Sequence, residues 1–480
     1  MRKPNESAVD SRRTAWPPVL AVAALTAGVL FYSSAHYGHG FDELYFVVAG
    51  RDHLAWGYFD QSPLVPFLAG LLDSWFPGSL VMLRLPVTLA ATGGVVVTAL
   101  IARELGGGRA AQVTAAATYA ASGAVVVSHW LATYTLDPFL WTVLTWLVVR
   151  WVRTRDDRLL LWAGLVTAVS LQVKFLVPAF WVLVLLSALV FGPRSLASRP
   201  KLWLGAGIAA LATVPTLVWQ ALHDWPYLNM SDVVAAEFPG EWPFLRDGVL
   251  MAGIGIGAVA FVFGLLRLLF LAQYRFLGVA ILGLVVAFLL ASGRSYYLLG
   301  VYALPFAVTA VAIWQRPDVR WRPFVAWPVY LCSGVAAVAM LPIYPPSIVD
   351  KVPTSWGPFV LGSSFAAGER PQGELGRTGA SVLASLPPDQ RARTAVFSDL
   401  YPFAASVEYF GGERVYSGHR GYWYFGAPPD SAADVLFVGL DPGRLRPHFA
   451  GETPVIEGLV WLFEGRRGSW TALWPGMRSQ

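Results

Sequence analysis

The chain has 480 residues, of which 56% are hydrophobic and 14% are charged, whereas soluble domains carry about 25% charged residues to keep their surface in water. This composition excludes a soluble globular protein and also a disordered chain, which requires low hydrophobicity and a high net charge. A disulfide-stabilised scaffold is excluded because Cys332 is the only cysteine in the sequence, so it has no partner within the chain.

Apolar runs suited to membrane helices recur over the first 343 residues. An α-helix needs about 20 apolar residues to cross the bilayer core, and eleven runs approach this length. The fifth and sixth are nearly continuous, broken only at Lys174 and Pro178, so the count is good to one. The sequence predicts a mainly α, polytopic membrane protein with about 11 transmembrane helices, at 16–34, 79–101, 110–128, 134–152, 159–175, 176–192, 202–222, 248–270, 276–293, 296–314 and 323–343.

Basic residues follow the order of these runs. With the amino terminus in the cytoplasm, each loop on that side holds clustered arginine or lysine, whereas the opposite short loops hold isolated cations. This agrees with the positive-inside rule and predicts an integral protein of the cytoplasmic membrane with its carboxyl-terminal tail outside. Since the cations behind the net charge of +5 are scattered between apolar runs, we expect no nucleic-acid partner. We interpret run 16–34 as an uncleaved span rather than a secretory signal, because the charge alternation holds with it in place.

Two segments interrupt the apolar pattern, and both face outwards in this topology. The first is a loop at 35–78 that is rich in aromatic and acidic residues. In the second, which follows the last span, 394–397 and 435–438 are typical of strands and 401–410 of a helix. The sequence therefore predicts a transmembrane domain at 1–343 and a soluble extracytoplasmic α/β domain at 344–480.

Carboxylates are nearly absent from the apolar runs and gather in the first loop. A proton-coupled transporter usually places them at membrane depth, where they mark the ion pathway, so this distribution favours surface chemistry. The pair Asp42 and Glu43 stands shortly after the first span. One interpretation is a general base, with or without a metal, held at the bilayer surface. The other is a solvated helix start whose acids are favoured by the helix dipole.

Several short motifs occur in order along the chain. They are Asp42-Glu43 with Tyr45, Gly57-Tyr58, Asp60-Gln61-Ser62-Pro63-Leu64, Arg84-Leu85-Pro86, Asp137, Gly164 to Lys174, Ser295-Tyr296-Tyr297, Tyr401 to Gly411, Ser417-Gly418-His419, Tyr422-Trp423 and Gly426. The set resembles the GT-C glycosyltransferases, in the branch of protein O-mannosyltransferases and lipid A aminoarabinose transferases. Each motif is weak alone, but together they cover most of the chain, which makes the resemblance far more specific.

The resemblance implies a transferase on the outer face that uses a sugar linked to a polyprenyl phosphate. By position, Asp42 matches the catalytic aspartate, and Asp60 matches an acid that binds a divalent metal in the aminoarabinose branch. The sequence departs from that branch at Tyr45, where arginine is usual, and at Gln61, where lysine is usual. Both departures speak against an anionic lipid A-type acceptor and weaken the assignment of a metal to Asp60.

The chemistry follows from the residues as well. A sugar on a lipid phosphate already has a good leaving group, so the reaction needs a base for the acceptor hydroxyl and positive charge for the departing phosphate. We expect Asp42 to be the base, with Glu43 orienting it or binding a metal. The expected phosphate partners are three cations at the outer ends of spans, Arg84, Lys174 and Arg294. Their alternative role is snorkelling to the headgroups.

The remaining motif residues are candidates for substrate contacts. They come from the first loop, from the segment before the tenth run and from the tail: Tyr45, Tyr58, Gln61, Tyr296, Tyr297 and His419. For His419 the alternative is a packing role within the tail domain.

The predicted function is therefore an inverting glycosyltransferase, transferring a hexosyl or pentosyl group from a polyprenyl-phosphate sugar donor. The acceptor is extracytoplasmic and is a glycolipid, a cell-wall glycan or a protein. One alternative is a transporter or flippase of lipid-linked sugar, which predicts inverted repeats and polar residues converging mid-membrane; the sequence shows neither. Another is a non-catalytic membrane protein whose outer domain binds a partner.

Overall fold

The computed structural model describes residues 13–315, 322–349, 351 and 358–479. The chain divides into two compact units, each assembled from segments distant in sequence. The first unit comprises Met1–His36, Arg84–Val218 and Ser231–Ser363, and the second comprises Tyr37–Leu83, Trp219–Met230 and Ser364–Gln480. Each unit is defined by contacts in space and not by chain order. The domain boundary expected at residue 343 stays a prediction.

Helices dominate the described residues, and a small sheet lies near the carboxyl terminus. In chain order the helices are α1 (Trp16–Ser34), α2 (Glu43–Asp52), α3 (Leu64–Trp75), α4 (Leu80–Glu104), α5 (Arg109–Ala120), α6 (Gly123–Val126), α7 (Thr133–Thr154), α8 (Arg158–Val173), α9 (Val177–Phe191), α10 (Pro200–Leu222), α11 (Met230–Ala236), α12 (Glu241–Met251), α13 (Ile256–Leu269), α14 (Arg275–Leu290), α15 (Ala303–Trp314), α16 (Arg322–Ala339), α17 (Pro346–Val349), α18 (Pro358–Ser385), α19 (Pro388–Ala392), α20 (Tyr401–Gly411) and α21 (Trp470–Met477). The strands are β1 (Thr394–Ser398), β2 (Val415–Ser417), β3 (Asp434–Val438), β4 (Phe449–Ile456) and β5 (Val460–Arg466).

All eleven apolar runs are helical, but three of them are broken. The prediction of one continuous helix over 248–270 is wrong, because α12 and α13 meet at a bend of 105°. The connection contains Gly253 and Gly255, whose φ angles of +123° and +82° lie in a region that residues with a Cβ rarely adopt. A 53° bend separates α5 from the short helical segment at 123–129, and another separates Ser295–Val301, a 3₁₀ segment, from α15.

Few of these helices are long and apolar enough to be complete spans by themselves. Among the described residues, only α1, α4 and α10 are long and apolar enough to cross a membrane, and the number rises to six if each bent pair is one span. Shorter apolar helices of 10–17 residues occur as well, below the roughly 20 residues that a crossing needs. The predicted number of eleven spans is therefore not confirmed, although the helical membrane fold is.

Close helix contacts in the first unit depend on glycine. A Cβ built on Gly164 of α8 would lie 2.2 Å from the Cα of Gly205 in α10, and one on Gly264 of α13 would lie 2.0 Å from the carbonyl oxygen of Pro305 in α15. Small residues of this kind let helix backbones approach one another within a membrane, where packing drives association.

In the second unit, the predicted first loop forms two packed helices. Pro63 precedes α3, and a proline is well tolerated where a helix begins because its missing N–H is not needed there. The two helices cross at Gly50 of α2 and Gly70 of α3, since a Cβ on Gly50 would lie 1.8 Å from the carbonyl oxygen of Pro66. This crossing gives the loop a rigid core.

The same unit holds a five-stranded sheet of order β2-β1-β3-β5-β4. Strands β2, β1 and β3 are parallel, whereas β5 pairs antiparallel with both β3 and β4. The strands predicted at 394–397 and 435–438 are confirmed as β1 and β3, and the helix predicted at 401–410 is confirmed as α20. The carboxyl ends of parallel strands meet at one edge of a sheet, where ligands usually bind in open α/β folds.

Candidate active site

Asp42 stands at the amino-terminal end of α2. Its backbone carbonyl accepts the N–H of Phe46 at 3.0 Å, and its side chain is half-buried. The Tyr401 hydroxyl, at the start of α20, donates to Oδ1 of Asp42 at 2.5 Å. A donor at this distance fixes the orientation of the carboxylate.

Asp60 is the second acid of this cluster. The hydroxyl of the buried Tyr45 donates to its Oδ1 at 3.0 Å. Burial raises the pKa of Asp60 to about 6; the charge of Asp42 adds to this effect, whereas the Tyr45 hydroxyl and Arg420 oppose it. The rings of Tyr45 and Tyr401 lie 4.9 Å apart between centroids, so the two acids and their tyrosine donors form one cluster.

Arg420 reaches this cluster from the segment that follows β2. Its guanidinium carbon lies 5.6 Å from the centroid of the Tyr401 ring. Its φ angle of +47° is uncommon for a residue other than glycine. The backbone N–H of Arg420 donates to the backbone carbonyl of Ser479 at 2.9 Å. At the next position, a Cβ on Gly421 would lie 1.8 Å from the Tyr45 hydroxyl oxygen, so only glycine fits beside that hydroxyl.

His419 packs against the same tyrosine. Its ring stacks on Tyr401 with centroids 5.3 Å apart, and its Nδ1 accepts the N–H of Tyr401 at 3.2 Å. Burial lowers the pKa of His419 to about 4, and Arg420 and Arg444 act in the same direction. The imidazole is therefore neutral at pH 7 and positions the first residue of α20, a packing role that the sequence left open.

Three other predicted residues are buried in the first loop. Glu43 is 1% exposed, and its Oε2 accepts the N–H of Gly40 at 2.6 Å. The Tyr58 hydroxyl donates to the carbonyl of Ala49 at 3.2 Å, which ties the loop to α2. Gln61 is 4% exposed, and its Nε2 has no hydrogen-bond partner among the described residues.

The predicted cations all belong to the first unit, and two of them share their tyrosine neighbours. Lys174, at the end of α8, places Nζ 4.8 Å and 4.4 Å from the ring centroids of Tyr296 and Tyr297. Arg294 donates from Nη1 to the Tyr296 hydroxyl at 2.9 Å and from Nη2 to Glu237. These contacts bring four predicted residues together, two cations and the two tyrosines beside them, as cation–π attraction favours.

Arg84 contacts a different element. It lies in the second turn of α4, is fully buried, and donates from Nη1 to the carbonyl of Ser34 at the end of α1 at 3.2 Å. Because the charge is buried within the helices, snorkelling to the headgroups does not describe this residue.

Three comparisons with known proteins bear on this arrangement. Residues 60–219 match the family model of dolichyl-phosphate-mannose-protein mannosyltransferase. Two solved structures of ArnT from Cupriavidus metallidurans cover 93% of this chain and 97% of their own: the apo state with 16% identity and a TM-score of 0.63, and the complex with undecaprenyl phosphate with 14% and 0.61. The chain has the GT-C membrane glycosyltransferase fold.

A second fold relative supports this conclusion. It is the archaeal oligosaccharyltransferase AglB from Archaeoglobus fulgidus, solved with an inhibitory peptide and a dolichol-phosphate. Its identity is 11%, its TM-score is 0.51, and the match covers 90% of this chain and 70% of AglB. No curated protein matches the sequence. The resemblance to GT-C transferases read from the motifs is confirmed at the level of the fold.

A divalent metal at Asp60 fits the residues around it poorly. Among the described residues, no group of three or more His, Cys, Asp or Glu side chains is arranged to hold a metal ion. Oδ1 of Asp60 instead accepts the Tyr45 hydroxyl, and the positive charge acting on Asp60 is that of Arg420. The metal at Asp60 stays a prediction.

Sequence reasoning missed the site roles of Tyr401 and Arg420. Tyr401 was part of a tail motif, but its contact with Asp42 joins positions 359 residues apart. A weak signal for Arg420 is present, because it follows a predicted motif and precedes Gly421. No periodicity or local spacing in the sequence indicates which acid either residue faces.

Proposed function

We propose that this protein is an inverting glycosyltransferase that moves a sugar from a polyprenyl phosphate to a hydroxyl group outside the membrane. The observation that carries the proposal is the cluster of two carboxylates, Asp42 and Asp60, each accepting a tyrosine hydroxyl. On a GT-C fold, this cluster supplies what the displacement requires from the protein, an oriented base beside a controlled charge.

In the proposed step, Asp42 accepts the proton of the acceptor hydroxyl while the oxygen of that hydroxyl attacks the anomeric carbon. The new bond forms as the bond from the anomeric carbon to the phosphate oxygen breaks, and the electron pair leaves with the polyprenyl phosphate. One displacement inverts the anomeric centre. A base positioned in this way contributes about 10²–10⁴-fold to the rate.

The proposed role of Asp60 is electrostatic. Its pKa of about 6 keeps it mostly ionised at pH 7, and ionised Asp60 makes Asp42 a stronger proton acceptor because like charges oppose one another. Arg420 limits this repulsion. The tyrosine hydroxyls of Tyr45 and Tyr401 hold both carboxylates in place without carrying charge.

Donor binding is proposed to use the cations and the neutral donors. Lys174 and Arg294, with Tyr296 and Tyr297, offer positive charge and hydroxyl groups to the leaving phosphate, which such groups stabilise as its charge develops. Gln61 offers Nε2, a buried donor without a partner among the described residues, and an unsatisfied buried donor costs about 1–3 kcal/mol. A sugar hydroxyl or phosphate oxygen would satisfy it.

The decisive experiment compares Asp42→Asn with Asp52→Asn. Both changes are isosteric and affect α2, but Asp52 is exposed and pairs with its neighbour Arg51. Purified variants are incubated with a panel of polyprenyl-phosphate sugars and candidate acceptors, with and without chelator. We expect Asp42→Asn to lose at least a hundredfold in transfer, with Asp52→Asn near wild type. An active Asp42→Asn enzyme that is normally inserted would refute the proposal.

A further inference from the structure

Three arginines surround a buried carboxylate where α4 and α7 end, apart from the candidate active site. Glu104, with 1% of its side chain exposed, accepts Nε of Arg153 at 2.5 Å and lies 3.3 Å from a nitrogen of Arg103 and 3.8 Å from one of Arg150. Among the described residues, Glu104 is the one carboxylate that these three arginines contact, so the cluster carries more positive than negative charge. Such surplus charge attracts anions to its surroundings.

A cavity of about 180 Å³ adjoins this cluster. Leu105, the residue after Glu104, lines it, and so does Tyr274, whose hydroxyl experiences the charges of both Arg153 and Glu104. Arg267, Gln273 and Gln315 add polar groups to the wall. The cavity therefore combines a positive field with hydrogen-bond donors.

Arg267 is the cationic residue that lines this cavity. Its guanidinium forms no ion pair or hydrogen bond with any residue in the described ranges, and its side chain is exposed. By contrast, Arg275 in the same region donates from Nε to the carbonyl of Leu269 at 2.7 Å. An uncommitted guanidinium beside a positive cluster is suited to a phosphate oxygen, which arginine binds in a bidentate manner.

The other wall of the cavity is apolar. It consists of aliphatic side chains from the end of α4, from the segment after α13 and from α15: Leu105, Leu271, Ala272, Val308, Val311 and Ala312. A free phosphate gains nothing from such a wall, whereas the glycerol and first methylenes of a phospholipid bury apolar surface there. Basic pockets between membrane helices bind anionic lipid headgroups in this way.

We propose that this cavity binds the headgroup of an anionic phospholipid, with its phosphate on Arg267 and its glycerol against the aliphatic wall. The proposal is independent of the transferase reaction, since none of these residues takes part in it.

The test counts lipids bound to the full-length protein by native mass spectrometry. Detergent-purified protein is titrated with dioleoyl-phosphatidylglycerol, with dioleoyl-phosphatidylcholine or with inorganic phosphate. We expect one phosphatidylglycerol to bind in preference to phosphatidylcholine, and Arg267→Gln to weaken it about fivefold, as expected for about 1 kcal/mol per basic residue at a membrane surface. Arg267→Lys keeps the charge but loses the bidentate geometry, so its affinity should lie between those of the wild type and Arg267→Gln. Arg275→Gln is the matched control with less than a twofold effect.

Three results would overturn the proposal. Equal binding of the two lipids, or equal losses in Arg267→Gln and Arg275→Gln, shows only a general attraction to the basic side of the protein. Displacement of phosphatidylglycerol by millimolar inorganic phosphate identifies the ligand as a soluble anion. Thermal unfolding of each variant is measured in parallel, so that a folding defect is not counted as lost binding.

Discussion

Tyr401 and Tyr45 each donate a hydroxyl to one acid of the cluster, and neither tyrosine ionises near neutral pH. Burial and the neighbouring carboxylates raise the pKa of both tyrosines well above its usual value. They are therefore dependable donors, and the cost of losing one is that of a hydrogen bond to a charged group, about 1.5–3 kcal/mol. The orientation of each acid therefore depends on its tyrosine donor as well as on its own place in the chain.

Replacing Tyr401 by phenylalanine should lower kcat by about tenfold or more, because the base at Asp42 loses its orienting donor. The matched control is Tyr409→Phe, eight residues further along α20. The Tyr409 hydroxyl also donates to a carboxylate, that of Asp73 at 2.7 Å, but outside the two-acid cluster. Steady-state kinetics of both variants provide the measurement. Equal losses of kcat in Tyr401→Phe and Tyr409→Phe would contradict an orienting role for Tyr401.

Arg420→Gln should shift the pH dependence of transfer. The arginine lowers the pKa of Asp60 from the value that burial alone would impose, so its removal raises that pKa further. Activity that requires ionised Asp60 falls as pH drops through about 6 in the wild type, and this acid limb should move to higher pH because loss of a nearby positive charge disfavours the ionised carboxylate. The measurement is kcat/KM from pH 5 to pH 9.

The control for this shift is Arg391→Gln. Arg391 is an exposed cation of the same unit that pairs with Glu413. A uniform loss of activity in Arg420→Gln, with an unchanged pH profile, would show that the arginine acts in some other way than on the ionisation of Asp60.

Among the secondary structure elements, α2 and α3 decide how the first loop is held. Their backbones touch at Gly50 and Gly70, and Tyr45 on α2 donates to Asp60 of the site. Sequence analysis treats 35–78 as a long polar loop because its apolar residues are interrupted by acids and prolines.

Gly50→Ala should destabilise this crossing. Its Cβ would lie 1.8 Å from the carbonyl oxygen of Pro66, and forcing extra volume into packed helices costs about 1–3 kcal/mol. We expect a melting temperature several degrees lower, measured by tryptophan fluorescence. Gly28→Ala is the control, because a Cβ there meets nothing within 4 Å; an equal loss in both variants would contradict the argument.

For the whole molecule, the distribution of charge predicts which parts of the chain lie on each side of the membrane. The fold comparisons support a membrane protein but leave the sidedness as a prediction. Cysteine chemistry suits the question, since Cys332 is the only native cysteine and can be replaced by serine. Glu457 between β4 and β5, and Ser198 between α9 and α10, are both exposed.

A cysteine at position 457 should react with a membrane-impermeant maleimide in intact cells, whereas one at position 198 should react only after the membrane is permeabilised. The physical reason is the positive-inside rule, which places the basic loop around 198 in the cytoplasm. Labelling of both positions without permeabilisation, or the reverse pattern, would contradict the predicted topology.

Sequence alone determined the helical membrane class and the strands at 394–397 and 435–438, because hydrophobic length and alternation are local properties. It also predicted Asp42 and Asp60 as site residues from short motifs. Tertiary structure alone decided the breaks within the long apolar runs and the partners of the two acids. The contact between Asp42 and Tyr401 joins residues 359 positions apart, and the approach of Gly421 to the Tyr45 hydroxyl depends on how β2 ends. Such pairs are set by packing in three dimensions, which leaves no periodic trace along the chain.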